Sequence, residues 1–173
     1  VHKGGAVFDI KKLDWINGEY IKKAIATDIN AFYDEYNDFI EKELPGPYDD
    51  LYKKILQDPD FEGRFKKLTD IPRELNIFVT ALADYPATLL LWEKFQITAP
   101  MAKLVFQEAK QAVEHLEWET GDNSKTALIS EKMAAIAGEL ELKNGQVLWP
   151  IRVALSGLER SPNFATLMVY LGK

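Results

Sequence analysis

The 173 residues include no cysteine, which excludes a disulfide framework and any thiolate metal site and fits a reducing, cytoplasmic setting. Long apolar runs are also missing. None approaches the roughly 18 residues that a membrane-spanning helix requires, so no membrane association is expected. The opening residues Val1-His2-Lys3-Gly4-Gly5-Ala6 show no basic stretch followed by an apolar one, so a secretory leader is not expected. An excess of positive charge is absent too: 21 basic residues face 27 acidic ones, for a net charge of −6. Residues 1–73 carry 12 basic and 15 acidic residues, a balance of −3, and the remainder carries the same −3. A broad phosphate-binding surface is thereby excluded, and any nucleic-acid face has to be a local basic stripe on an acidic body.

Catalytic chemistry is equally scarce. The two histidines are His2, in the terminal stretch, and His115, beside Glu114 and Glu117 near a predicted helix end. His115 has Glu119 at i+4 and no neighbouring ligand cluster, so it reads as a solvated or capping side chain. The pairs Glu41/Glu43 and Glu139/Glu141 are two residues apart and diverge around a helix, which makes them solvated faces. Ser156-Gly157 and Ser161-Pro162 are turn and cap chemistry without a histidine placed for a triad. Gly4-Gly5-Ala6 lacks the remaining glycines and the lysine of a phosphate loop. The residues predict no catalytic centre, no metal site and no cofactor in this segment.

What the sequence does contain is helical periodicity from end to end, with 47% hydrophobic and 28% charged residues. A short helix is expected from Asp9 to Asn17, stopped by Gly18 and anchored in a core by Trp15. A longer one runs from Asp28 to Leu44, with Ile29, Phe32, Tyr33, Tyr36, Phe39 and Ile40 at 3–4 spacing and Pro45-Gly46-Pro47 as its stop. Tyr48–Gln57 reads as a short helix, Phe61–Leu68 as a brief amphipathic turn or two, and Thr69 or Asp70 as the cap of a helix with Pro72 in its first turn. Leu89-Leu90-Leu91-Trp92, apolar on all sides, predicts a fully buried helical element. Further helices are expected over Pro100–Trp118 and Ser124–Leu142, and Gly145 opens a turn into Val147–Leu155 with Gly157 as terminator. The last helix has Ser161 as N-cap, Pro162 at its first position and Gly172 after its last apolar residue. No segment alternates with period two, so the expected fold is all-α. Two small helical subdomains, residues 1–80 and 81–173 with a boundary between 70 and 90, are expected to pack end to end as an elongated module.

Two segments say more. Phe8-Asp9, Lys12-Leu13, Trp15, Asn17-Gly18 and Tyr20 fall in one order, and Gly145, Pro150-Ile151-Arg152, Ala154-Leu155-Ser156-Gly157, Ser161-Pro162 and Leu171-Gly172-Lys173 in another. Together they resemble the C-terminal half of bacterial glutamyl-tRNA synthetases, a class I aminoacyl-tRNA synthetase family. The first resembles the stretch after that family's ATP-binding signature loop; the second resembles its Pro-Leu-Arg-x-Ala-Leu-Thr-Gly block. Residues 28–140 match more loosely. The resemblance implies a module that contacts the inner tRNA stem and reads the anticodon. The catalytic domain, with its ATP and Mg²⁺, would lie upstream in the parent chain and be a partner of this segment. The parent would be a monomeric, cytoplasmic, ATP-dependent glutamate–tRNA ligase, and the other partner the anticodon arm of glutamate tRNA.

Anticodon bases are unstacked, so a protein can read their edges, and the planar fork of arginine suits that task. By resemblance, Arg152 is the foremost anticodon-reading arginine. The turn at Ser156 and Gly157 would bring backbone close to a base, and Phe164 would face the third anticodon position. Arg64, Lys66 and Lys67 resemble the family's basic stretch, and either Arg64 or Arg73 is the second reading arginine. Trp149 stands where many members carry glutamine. The rival reading is an acidic helical protein-interaction module whose RNA-binding role is lost, with Arg152 paired to Glu159 or another acid and the lysines merely solvated.

Overall fold

In the computed structural model, residues 9–44 and 46–172 are described. They form an all-α structure: eight α-helices and several short 3₁₀ turns, with no strand among the described residues. His2 and the Gly4-Gly5-Ala6 stretch lie outside them. No described helix is long and apolar enough to cross a membrane. The chain divides into two compact units, Val1–Asn76 and Ile77–Lys173.

In the first unit, α1 spans Ile10–Thr27 and α2 spans Ile29–Glu43. The Asp9 carboxylate starts α1 by accepting from the backbone N–H groups of Lys11 and Lys12. Asp28 works at both helices: its own N–H bonds to the Ala24 carbonyl to close α1, and its carboxylate accepts from Asn30 and Ala31 to open α2. A side-chain cap of this kind is worth about 1 kcal/mol. Helix α1 does not stop at Gly18, as expected from sequence; it passes through it. A Cβ at Gly18 would sit 3.1 Å from the Phe65 carbonyl oxygen, so glycine is there to let another backbone approach. Trp15 is likewise not a core anchor, being 62% exposed alongside Ile10 and Tyr20. The helix buries Ile21 and Ile25 instead.

Helices α3 (Asp49–Leu56) and α4 (Asp70–Leu75) complete this unit. Its core holds Ile40, Tyr52, Ile55, Phe61, Ile71 and Leu75, all fully buried. Tyr33 is buried as well and donates towards the carboxylates of Glu41 and Asp49 at 3.3 Å. Burial and those two carboxylates hold its phenol protonated well above the usual tyrosine range. Burial, Tyr48 and the same two carboxylates push Tyr52 up to about 12.

In the second unit, α5 (Ala99–Glu114), α6 (Thr126–Glu139), α7 (Asn144–Ser156) and α8 (Phe164–Leu171) pack around Val105, Ile129, Met133, Val147, Ile151, Ala165 and Val169. His115 is the exposed C-cap of α5, which ends before Trp118. Leu89–Trp92 is not a buried helix. Ala87–Leu90 is a 3₁₀ turn with no buried residue, and Leu91 beyond it is extended and 37% exposed. Four apolar residues after Pro86 are too few to propagate an α-helix, and this run serves as a strap along α7. Gly145 lies inside α7, where a Cβ would meet the Phe95 ring at 3.0 Å; it admits the strap rather than making a turn. Gln146 ties the strap down by donating to the Phe95 carbonyl at 2.9 Å.

Helix α8 also starts later than expected. Its N-cap is Asn163, whose side chain accepts from the Thr166 N–H at 2.9 Å. Ser161 and Pro162 lie outside the helix, and the Ser161 hydroxyl has another partner.

Candidate nucleic-acid interface

Arg152 projects from α7 and is partly exposed. One guanidinium nitrogen, Nη1, donates to the Ser161 hydroxyl at 2.9 Å, and Nη2 donates to the Glu159 main-chain carbonyl at 2.7 Å. The expected rival partner, the Glu159 carboxylate, is thus replaced in this contact by the backbone of the same residue. Three residues earlier on the helix, one turn away, the Trp149 ring lies with its centroid 4.9 Å from the guanidinium carbon. Trp149 is in turn set against Trp92, ring centroids 4.2 Å apart and tilted by 34°, and its indole N–H donates to the Leu89 carbonyl at 3.1 Å. Trp92 meets Phe95 edge-on at 4.4 Å, and the Lys94 ammonium lies 5.9 Å from the Trp92 ring.

The chain beyond Arg152 is shaped by Ser156 and Gly157. The buried Ser156 hydroxyl donates to the Arg152 carbonyl at 2.7 Å and accepts from the Leu158 N–H at 3.2 Å. Gly157 closes α7 in the left-handed region, φ 66°, and a Cβ there would meet Tyr85 at 3.1 Å. Both conditions favour glycine. This turn is what carries Glu159 and Ser161 back to the Arg152 side chain. Phe164, only 7% exposed, packs in the core with Ala165 and Val169. Its ring supports α8 from within and presents almost no surface.

In the first unit the basic candidates are treated differently. Arg64 directs both Nε (2.8 Å) and Nη2 (2.7 Å) at one carboxylate oxygen of Glu74, and the two side chains are only 26% and 18% exposed. Arg73 is 68% exposed, with Asp70 at 3.0 Å and Glu74 at 3.7 Å. The Asp70 carboxylate accepts from the backbone N–H groups of Lys66 and Lys67, both at 2.9 Å, which pins the loop carrying the two exposed lysines. The Lys67 ammonium lies 3.4 Å from Asp14 of α1. Arg64, Arg73, Lys66 and Lys67 therefore belong to one loop-and-helix element of the first unit, organised by Asp70 and Glu74. Arg152, Ser156 and Gly157 belong to one helix end of the second.

A family model described as anticodon binding domain matches residues 14–173. The chain belongs to that anticodon-binding family. Among its relatives is a glutamate–tRNA ligase of Clostridium novyi (strain NT), 32% identical over 176 aligned residues, which take in 100% of this chain and 34% of the relative. Another, the glutamate–tRNA ligase of Clostridium botulinum (strain Hall), is 34% identical over 165 residues, 95% of this chain and 31% of that protein. The crystal structure of a glutamate tRNA ligase from Elizabethkingia meningosepticum, in complex with its amino acid, superposes with a TM-score of 0.66 at 25% identity. It covers 99% of this chain and 31% of the solved one. This anticodon-binding chain thus spans about a third of the length of the relatives it matches.

Sequence reasoning missed the partners of the arginines. Glu74 lies ten residues from Arg64, a spacing that no helical periodicity marks. The apolar run of Leu89 and Trp92 predicts burial, which hides their contacts to Trp149. The helix cap is Asn163, and Ser161 has only the residue type of one. Its position nine residues from Arg152, across a glycine terminator, was the one available signal for a returning loop.

Proposed function

We propose that this chain is the tRNA-recognising part of a glutamate–tRNA ligase and binds the anticodon arm of glutamate tRNA. The observation that carries the reading is the presentation of Arg152. A hydroxyl and a main-chain carbonyl accept from it, an indole ring lies with its centroid 4.9 Å from the guanidinium carbon, and it stands partly exposed near the end of a helix in an anticodon-binding fold. A planar fork of donors held in this way suits the edge of an unstacked base. Arg73, exposed on α4, is the better candidate for the second reading arginine, because Arg64 is already directed at Glu74 from two nitrogens. Lys66 and Lys67 would supply phosphate contacts, which position the RNA without reading it. Ser156 and Gly157 act through the shape of the loop behind Arg152.

In the parent protein, the remaining two thirds would activate glutamate with ATP and Mg²⁺ and charge the tRNA, as a cytoplasmic monomer. Among the described residues no group of three or more His, Asp or Glu side chains is gathered to hold a metal ion. The exposed Ile10, Leu13 and Tyr20, which share one side of α1, support a packing face for the catalytic part.

The test is a gel shift of this chain with glutamate tRNA over a range of salt concentrations. Binding that weakens linearly in log salt, and about tenfold further on Arg152→Ala, is expected. Salt-independent or absent binding would assign the fold to protein contacts instead, as its net charge of −6 allows.

A further inference from the structure

The groups around Arg152 stand in single file: Phe95 edge-on to Trp92, Trp92 on Trp149, and the Arg152 guanidinium over Trp149. The file is anchored at several points. Gln146 fixes the strap at the Phe95 carbonyl, and the Trp149 indole N–H fixes the ring's rotation on the Leu89 carbonyl. Arginine has several rotatable bonds, and its two described hydrogen bonds hold the guanidinium by its edge, where a small tilt costs little. A ring face below it resists that tilt. Plane matters because two parallel N–H bonds reach a base edge only when guanidinium and base are nearly coplanar.

We propose that Trp149, braced by Trp92, is a positioning residue that sets the plane in which Arg152 meets a nucleobase. The assignment rests on the anticodon-arm reading above. Trp149 acts through Arg152: it is partly buried against the strap, and its one polar atom is occupied by Leu89. The face of the ring does the positioning, and the indole bond keeps the ring in place.

The experiment separates these two contributions in the 173-residue chain, using an unmodified anticodon stem-loop of glutamate tRNA as the probe. Trp149→Phe keeps an aromatic face and loses the indole donor. Trp149→Gln keeps a donor able to reach the Leu89 carbonyl and loses the face. The expected result is that Trp149→Phe binds within about twofold of the parent chain, while Trp149→Gln binds about fivefold more weakly with an unchanged salt slope. In an Arg152→Ala background, Trp149→Gln is expected to cost nothing further, because a residue that works through Arg152 is coupled to it.

Failure of the unsubstituted chain to bind the stem-loop overturns the functional reading and this inference with it. Binding that falls on Arg152→Ala and is unmoved by Trp149→Gln overturns this inference alone. So does equal weakening by the phenylalanine and glutamine variants, which would make the indole bond the operative part, and so does additivity with Arg152→Ala. Thermal melting checks that each variant is folded. Should the glutamine variant unfold, the parent chain decides by NMR. Ring-current displacement of the Arg152 side-chain protons that persists in the RNA complex supports the stacked geometry, and its loss on binding overturns it.

Discussion

Two arginines in this molecule show how the same side chain serves different ends. Arg64 in the first unit is directed through two nitrogens at the Glu74 carboxylate, with both partners mostly covered. Arg152 in the second unit meets a hydroxyl, a main-chain carbonyl and a ring face, and stays partly exposed. A carboxylate directly opposes the charge of the guanidinium it holds; a hydroxyl, a carbonyl and an indole orient it. Burial alone would not have separated the two, nor would proximity to lysines. The chemical kind of the neighbour does.

The sharpest way to break this comparison is to remove Glu74. Glu74→Ala leaves a mostly covered guanidinium without its carboxylate and is expected to destabilise the first unit by about 2–3 kcal/mol. Chemical denaturation measures it, and RNA affinity per folded molecule should change by less than about threefold, because Glu74 also touches the exposed Arg73. Arg152→Ala should do the reverse, with an affinity loss of about 1.4 kcal/mol, a factor of ten, and a stability change below about 0.5 kcal/mol. Isothermal titration alongside melting would read both. If Arg152→Ala instead unfolds the chain, the two arginines are alike and the distinction fails.

Gly157→Ala tests the loop that returns Ser161 to Arg152. A Cβ at φ 66° against Tyr85 is expected to cost about 1 kcal/mol in stability. It should also weaken RNA binding, because Ser161 and the Glu159 carbonyl move with the loop. Arg73→Ala sharpens the choice within the first unit: a loss of about threefold in affinity, against none for Arg64→Lys in whatever fraction stays folded, is expected from an exposed charge.

The mildest effect is a response to pH, read as the melting temperature between pH 9 and 11. Tyr33 and Tyr52 have phenol pKa values raised in the folded state, Tyr52 to about 12. Above pH 10 the unfolded chain releases protons that the folded chain keeps. Stability is therefore full below about pH 10 and declines as pH rises through the interval up to the folded values. Tyr33→Phe should flatten the decline. An unchanged slope would mean that the phenol is not held as described.

Helix existence was largely legible from spacing. Phe32, Tyr33 and Ile40, members of a 3–4 pattern with Tyr36 and Phe39, are buried on α2, and Asp28 caps its start; Pro45 lies outside the described residues. The failures share one cause, which is that a second piece of backbone decides the outcome. Gly18 reads as a stop until Phe65 is known to lie 3.1 Å from where its Cβ would be. Leu89–Trp92 reads as core until α7 turns out to cover only one side of it. Ser161 reads as a cap because the sequence shows the helix ahead of it and hides the arginine behind. In the candidate site, the residue types and Arg152 itself were readable from the family resemblance. The indole beneath it, the carbonyl at Leu89 and the carboxylate opposite Arg64 were contacts at a distance, which periodicity does not encode.

Asp28 joins α1 to α2 with no residue to spare, its backbone ending one helix while its side chain begins the next. The two duties can be removed one at a time: alanine would strip the opening cap of α2, and proline would take the N–H that closes α1. The junction is thus a stiff elbow without slack. The aromatic rings that α1 shows to solvent do not swing freely about it, because a swing first breaks the hydrogen bonds that Asp28 makes to both helices.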